Sequence, residues 1–193
     1  MEDAYWRAPP SAGSAMSPVD VLMVNPQLRK NPDLMKDVIV AGGARRTHRV
    51  LKGGWGDAFA TFRPLIEGEL APGGIQADLV DYVDDMREAY RASGLVLFPS
   101  FEEGYGMTAV EAMYCGTPVV SSSYPAIVEA VGDSAYRLCP YKDGADKWIA
   151  AVDEVLANRE VWSARALERA AQLSHRQSVE LHRVVDFLGR IAA

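Results

Sequence analysis

Short, nearly continuous apolar runs alternate with longer amphipathic segments from Val19 onward, and few architectures accommodate that alternation. The candidate strands are Val21–Val24, Val38–Ala41, Asp78–Val83, Leu95–Phe98, Pro118–Ser121 and Ala135–Leu138. A run such as Leu95-Val96-Leu97-Phe98 has no polar residue to turn toward water, which suits a strand covered on both faces of a parallel sheet. Candidate helices lie over 57–69, 84–92, 108–115, 145–157, 160–173 and 175–191. Strands that alternate with helices predict an α/β fold, an open, doubly wound parallel sheet filling 18–193. Residues 1–17, with Pro9, Pro10, Ser11, Gly13 and Ser14, read as a flexible lead-in. In such sheets a ligand sits beyond the carboxyl ends of the strands, where the strand order reverses. The loops that follow strands therefore matter most.

Composition narrows the function classes. The formal net charge of −6 argues against a general electrostatic grip on nucleic acid, although a local basic patch stays open. Two cysteines, Cys115 and Cys139, form no disulfide framework and no metal spacing. No run approaches the roughly 18–20 apolar residues of a membrane span, and the acidic start lacks the apolar core of a secretory signal. The expected compartment is the cytoplasm.

The chemistry concentrates after Leu95–Phe98, where the chain reads Pro99-Ser100-Phe101-Glu102-Glu103-Gly104-Tyr105-Gly106-Met107 and continues Thr108-Ala109-Val110-Glu111-Ala112-Met113-Tyr114-Cys115-Gly116-Thr117-Pro118. Two glycines let the backbone turn tightly and approach a ligand. Thr108 is placed to cap a helix that Gly116 closes and Pro118 stops. Such a helix directs unpaired N–H groups at the loop mouth, where an anion fits. Glu103 precedes the helix and Glu111 lies inside it. Glu111 has two readings from the residues alone: a ligand-binding carboxylate, or the second member of a Thr108-x-x-Glu111 capping box.

The same run resembles the retaining GT-B glycosyltransferases of the group 1 type. Their pattern of proline–serine, E-G-F/Y-G and E-A-M-x-C-G-T-P-V-V is matched by Pro99, Ser100, Glu103–Gly106, Glu111–Met113 and Cys115–Val120. The resemblance implies half of a GT-B architecture, a single Rossmann-like domain that binds a nucleotide-sugar donor. It implies that Glu103 meets the donor sugar and Glu111 the ribose. The backbone around Gly104, Tyr105, Gly106, Met107 and Thr108 would hold the phosphates, and that near Tyr82 and Val83 would face the base. Asn25-Pro26-Gln27-Leu28-Arg29-Lys30-Asn31 is similar to the family's G-x-x-x-P-R-K-N loop, so Arg29 and Lys30 would neutralise the departing diphosphate. Asn25 replaces the family's glycine, and the short interval from Lys30 to Val38 predicts that the usual helix there is missing or reduced to a turn.

Other features carry less. Arg45, Arg46, His48, Arg49 and Lys52 form a basic cluster that reads as a solvated face or as a phosphate-facing patch. Asp84 and Asp85 open a helix, where acids suit the dipole, and no metal is expected. His175 and His182 read as surface residues of the last helix.

The expected activity is transfer of a sugar from a nucleotide donor with retention of configuration, with no cofactor and with an unknown acceptor. Only about 80 residues precede the main matched run, so the acceptor domain is expected to be absent or severely reduced. Acceptor contacts would come from a partner chain or a homo-oligomer. The alternatives are a non-catalytic or regulatory donor-binding subunit, and another GT-B reaction such as epimerisation or phosphorolysis.

Overall fold

The computed structural model describes residues 3–8, 16–51, 63–64 and 74–192. Six strands, β1 (Val19–Val24), β2 (Thr47–Leu51), β3 (Gln76–Val80), β4 (Ser93–Phe98), β5 (Val119–Ser122) and β6 (Tyr136–Leu138), form one sheet in the order β3-β2-β1-β4-β5-β6. Every pairing is parallel. The fold is thus the expected doubly wound α/β sheet.

Period-two alternation sends successive side chains of each strand to opposite faces. Val21, Met23, Val50, Leu95, Leu97 and Val120 point to one side, where α2 (Pro32–Gly42) and α6 (Ala145–Ala157) cover them. Leu22, Leu51, Val96, Phe98 and Val119 point to the other. That side is covered by α3 (Met86–Arg91), α4 (Met107–Tyr114), α5 (Pro125–Val131) and the first half of α7 (Arg159–Ala192). Ala166, Ala170 and Leu173 supply the buried stripe of α7 at helical spacing.

Several expectations need correction. Val38–Ala41 is not a strand but the end of α2, which follows Lys30 almost at once, so the helix expected to be missing is present. Pro32 opens it at the first helical position, and the Asn31 side chain accepts a hydrogen bond from Leu34 N–H at 3.4 Å. Leu34, Met35, Val38 and Ile39 then fall on one buried face, and that packing overrides the strand preference of a β-branched run. The second strand is Thr47–Leu51, inside the supposed basic surface cluster. His48 and Arg49 are buried in it, and Arg49 bonds to Ser17 O at 3.0 Å and Asp78 at 3.1 Å. Arg46 pairs with Asp153, while Arg45 stays exposed and bonds to Ala41 O. A solvated face therefore describes only part of the cluster, and Lys52 lies outside the described residues.

The helix expected over 57–69 falls outside the described residues except for Arg63 and Pro64, which are helical. The two last helices are one continuous α7, exposed from His175 through Phe187. Within the supposed lead-in, Asp3–Arg7 forms a short helix, α1, whose Trp6 packs against the second core layer. No described helix is long and apolar enough to cross a membrane.

Gly94, in the central strand β4, lies where an added Cβ would come 2.7 Å from Asp20 O and 2.8 Å from Leu156 Cδ2. Backbone on one side cannot yield, so Gly94→Ala is expected to cost about 1–3 kcal/mol of stability. Urea unfolding of the variant against the parent measures this directly.

Candidate functional site

β1 and β4 are neighbours, yet the chain leaves β1 toward β2 and leaves β4 toward β5. The order reverses between them, and the loops after these two strands flank the resulting crevice. In the β1 loop, Asn25 adopts φ 59, a left-handed conformation that asparagine tolerates far better than most residues. This is why asparagine can stand where the resembling family carries glycine. A short 3₁₀ turn, Leu28–Lys30, then turns Lys30 inward while Arg29 stays exposed.

The two loops are stitched together. Phe101 N–H donates to Arg29 O at 2.8 Å, and the Lys30 ammonium is paired with the Glu103 carboxylate. Only 5% and 8% of those side chains are exposed, so the pair is screened little by solvent. The ammonium also lies 4.2 Å from the centre of the Phe98 ring. Burial pushes the Lys30 pKa down, and the hydrogen bond and charge of Glu103 act against that shift.

α4 begins where the β4 loop ends. Its cap is Gly106 at φ 83, a conformation that disfavours any side chain, and no side chain bonds to the helix start. Thr108 is therefore not the cap, and the Thr108-x-x-Glu111 capping box does not form. The first N–H groups of α4 face the crevice mouth unclaimed by any capping side chain. At the other end Gly116 takes φ 74, and Gly116 N–H and Thr117 N–H close the last turn on Met113 O and Ala112 O. Released from capping, Glu111 accepts a hydrogen bond from the Tyr90 hydroxyl at 2.8 Å. Burial raises the Glu111 pKa, and the Tyr90 donor opposes that rise.

Lys30, Glu103 and the α4 start thus share one end of the sheet, and Glu111 lies one turn further along α4. Tyr105 and Met107 are half exposed beside them, Gly104 is exposed, Gly106 is buried and Thr108 is intermediate. Tyr82 follows β3 and is strongly exposed, whereas Val83 packs against the core. Asp85 caps α3 and chelates the Arg87 guanidinium, and among the described residues no three His, Cys, Asp or Glu side chains are grouped to hold a metal. His175 and His182 are exposed on α7. Sequence reasoning gave no site role to Tyr90, nor to Asn25, Ser100, Ser121 and Ser122. The side-chain oxygens of these last four are buried without a hydrogen bond at the carboxyl ends of β1, β4 and β5. Buried hydroxyls left unpaired are uncommon, and their clustering at strand ends marks this end of the sheet as polar.

A family model, Glycosyl transferases group 1, matches residues 22–158. The chain belongs to this family. Among curated relatives, a D-inositol 3-phosphate glycosyltransferase of Geodermatophilus obscurus is 37% identical over 118 residues, which is 58% of this chain and 26% of the relative. The chain thus spans about a quarter of the length of the curated relatives it matches. Among solved structures, the C-terminal domain of a group 1 glycosyl transferase (LpcC) from Francisella tularensis superposes with a TM-score of 0.66 at 18% identity, covering 84% of this chain and 88% of that one. An E. coli trehalose-6-phosphate structure bound with UDP-2-fluoro glucose gives 0.67 at 16% identity, covering 94% and 49%. The fold is that of one half of a GT-B glycosyltransferase.

Within this group 1 domain, Glu111 costs stability where it is charged. Its pKa is higher folded than unfolded, so its favourable contribution is complete below the ordinary value of 4.5 and is lost as pH rises through the folded value. Glu111→Gln keeps an acceptor for Tyr90 and removes the charge. The expected variant is more stable than the parent at pH 8, with the difference vanishing below pH 4.5, as urea titrations across that range would show.

Proposed function

We propose that the chain binds the nucleotide-sugar donor of a retaining glycosyltransferase in the crevice between the β1 and β4 loops. The observation that carries this reading is the buried Lys30–Glu103 pair across the point where the strand order reverses. A nucleotide sugar offers each member a better partner. The diphosphate takes Lys30, with Arg29 at the rim and the N–H groups from Tyr105 to Thr108 completing its cradle. Glu103, released, accepts hydrogen bonds from the sugar hydroxyls, and Glu111 accepts them from the ribose. The base lies toward Tyr82 and Val83. That a solved protein of this fold holds UDP-2-fluoro glucose supports a donor of this class.

In the transfer step the bond from the anomeric carbon to the diphosphate oxygen breaks, and a bond to the acceptor oxygen forms on the same face. The acceptor proton passes to the departing phosphate, and Lys30, Arg29 and the α4 N–H groups stabilise the charge that develops there. No metal and no general base from this chain enters that scheme. The acceptor is held by a partner chain, a second copy or another domain facing the crevice.

Isothermal calorimetry with UDP, GDP, ADP and their sugars tests the donor site, and binding of none of them would sink it. Lys30→Ala is expected to weaken nucleoside diphosphate binding about 10- to 100-fold, the size of a lost charge-assisted hydrogen bond. Glu103→Gln separates the two roles. It removes the competitor for Lys30, so a sugar-free diphosphate binds at least as tightly as in the parent while the preference for the sugar-bearing form is lost. Binding without hydrolysis or transfer, even with acceptor and partner supplied, would favour a non-catalytic donor-binding subunit.

A further inference from the structure

We propose that Tyr90 is a positioning residue for Glu111 and that helix α1 holds it in place through Trp6, so that the N-terminal segment sets nucleotide affinity. The proposal rests on the reading of Glu111 as the ribose-binding carboxylate.

Tyr90 is fully buried at the end of α3, and its hydroxyl donates to one oxygen of Glu111, Oε2, at 2.8 Å. The terminal torsion of a glutamate is broad and resists fixing by packing alone. A donor on one oxygen fixes the carboxylate plane and leaves the other oxygen for a ligand hydroxyl. Tyr90 is itself anchored, because Thr117 Oγ1 donates to its carbonyl at 2.7 Å and thereby ties α3 to the turn that ends α4.

Within a buried cluster, the Tyr90 ring is also backed by α1. The Trp6 ring lies 6.2 Å from the Tyr90 ring, tilted by 52°. A five-residue helix has no stability of its own, so its place is decided by what receives it. Arg87 and Arg91, one turn apart on α3, donate to Tyr5 O at 2.7 Å and Trp6 O at 2.6 Å, which satisfies carbonyls at the C-terminal end of α1. The Cys115 thiol donates to the same Trp6 carbonyl at 3.8 Å. The Arg87 guanidinium also lies 4.1 Å from the centre of the Tyr5 ring and is held rigid by Asp85. The family match begins at residue 22, so α1 lies outside it, while Arg87, Arg91, Tyr90, Glu111 and Cys115 lie inside. A docked segment therefore bears on a site residue through one intervening aromatic ring.

The test compares a nucleoside diphosphate with its 2′,3′-dideoxy counterpart by calorimetry, using UDP, GDP or ADP, whichever the full chain binds most tightly. Glu111 bears only on the ribose hydroxyls, so the ratio of the two affinities reports its positioning, whereas a general loosening lowers both alike. Tyr90→Phe is expected to lower that ratio about 10-fold with the dideoxy affinity unchanged. Trp6→Ala is expected to do the same, and Trp6→Phe, which keeps a ring against Tyr90, to restore most of it. Equal losses for both ligands, or no loss in Tyr90→Phe, would overturn the positioning role and leave the donor site standing. A Tyr90→Phe effect with Trp6→Ala indistinguishable from the parent would overturn the part played by α1. If the parent binds no nucleotide, or binds both forms equally, the donor-site reading of Glu111 itself fails and this proposal with it.

Discussion

Parallel pairing of β1 with β4 is the constraint on which the site depends. It sets Val21 beside Leu95 and Met23 beside Leu97, so the two strands end together. Their loops then have nowhere to go except past one another, and the chain joins them by one backbone hydrogen bond, Phe101 to Arg29, and one buried ion pair, Lys30 to Glu103. Seventy-three residues separate the members of that pair. A buried ion pair is weak evidence of stabilisation, because desolvation offsets much of the attraction. Its significance lies in position: two opposite charges kept out of water at the mouth where a doubly wound sheet takes its ligand.

Glu111 shows the same tension in another form. The residue sits within a helix of small and apolar side chains, where an uncharged residue would be easier to accommodate. Burial raises its pKa, and only the Tyr90 hydroxyl acts against that. The carboxylate is kept at a cost in stability, the pattern of a polar group retained for something other than packing. The same holds for the unpaired oxygens of Asn25, Ser100, Ser121 and Ser122 beneath the loops.

The core of the fold was legible in the sequence wherever one physical signal acted alone. Leu95–Phe98 could only be a strand covered on both faces, and Ala145–Ala157 reads as a helix with the bounds that the structure shows. Reading failed where two signals competed. Val38-Ile39-Val40-Ala41 has the β-branched content of a strand, but Asn31, Pro32 and the spacing of Leu34, Met35, Val38 and Ile39 make it the end of a helix. The charges of Thr47–Leu51 concealed a strand because Arg49 finds Asp78 on the neighbouring strand, a partner 29 positions away.

The residue order by itself determined the doubly wound class, the strand–glycine-loop–helix unit from Leu95 to Pro118 and the carboxylates within it, because strand and helix periodicity and glycine conformation are local properties. It left Glu111 divided between a cap and a ligand group, since a Thr-x-x-Glu spacing serves both. Only the tertiary structure removed the first reading: Gly106 takes the cap position, and Tyr90, brought in by α3, bonds to the carboxylate. Likewise the sequence shows Lys30 and Glu103 as separate charges, and parallel strand pairing alone makes them neighbours.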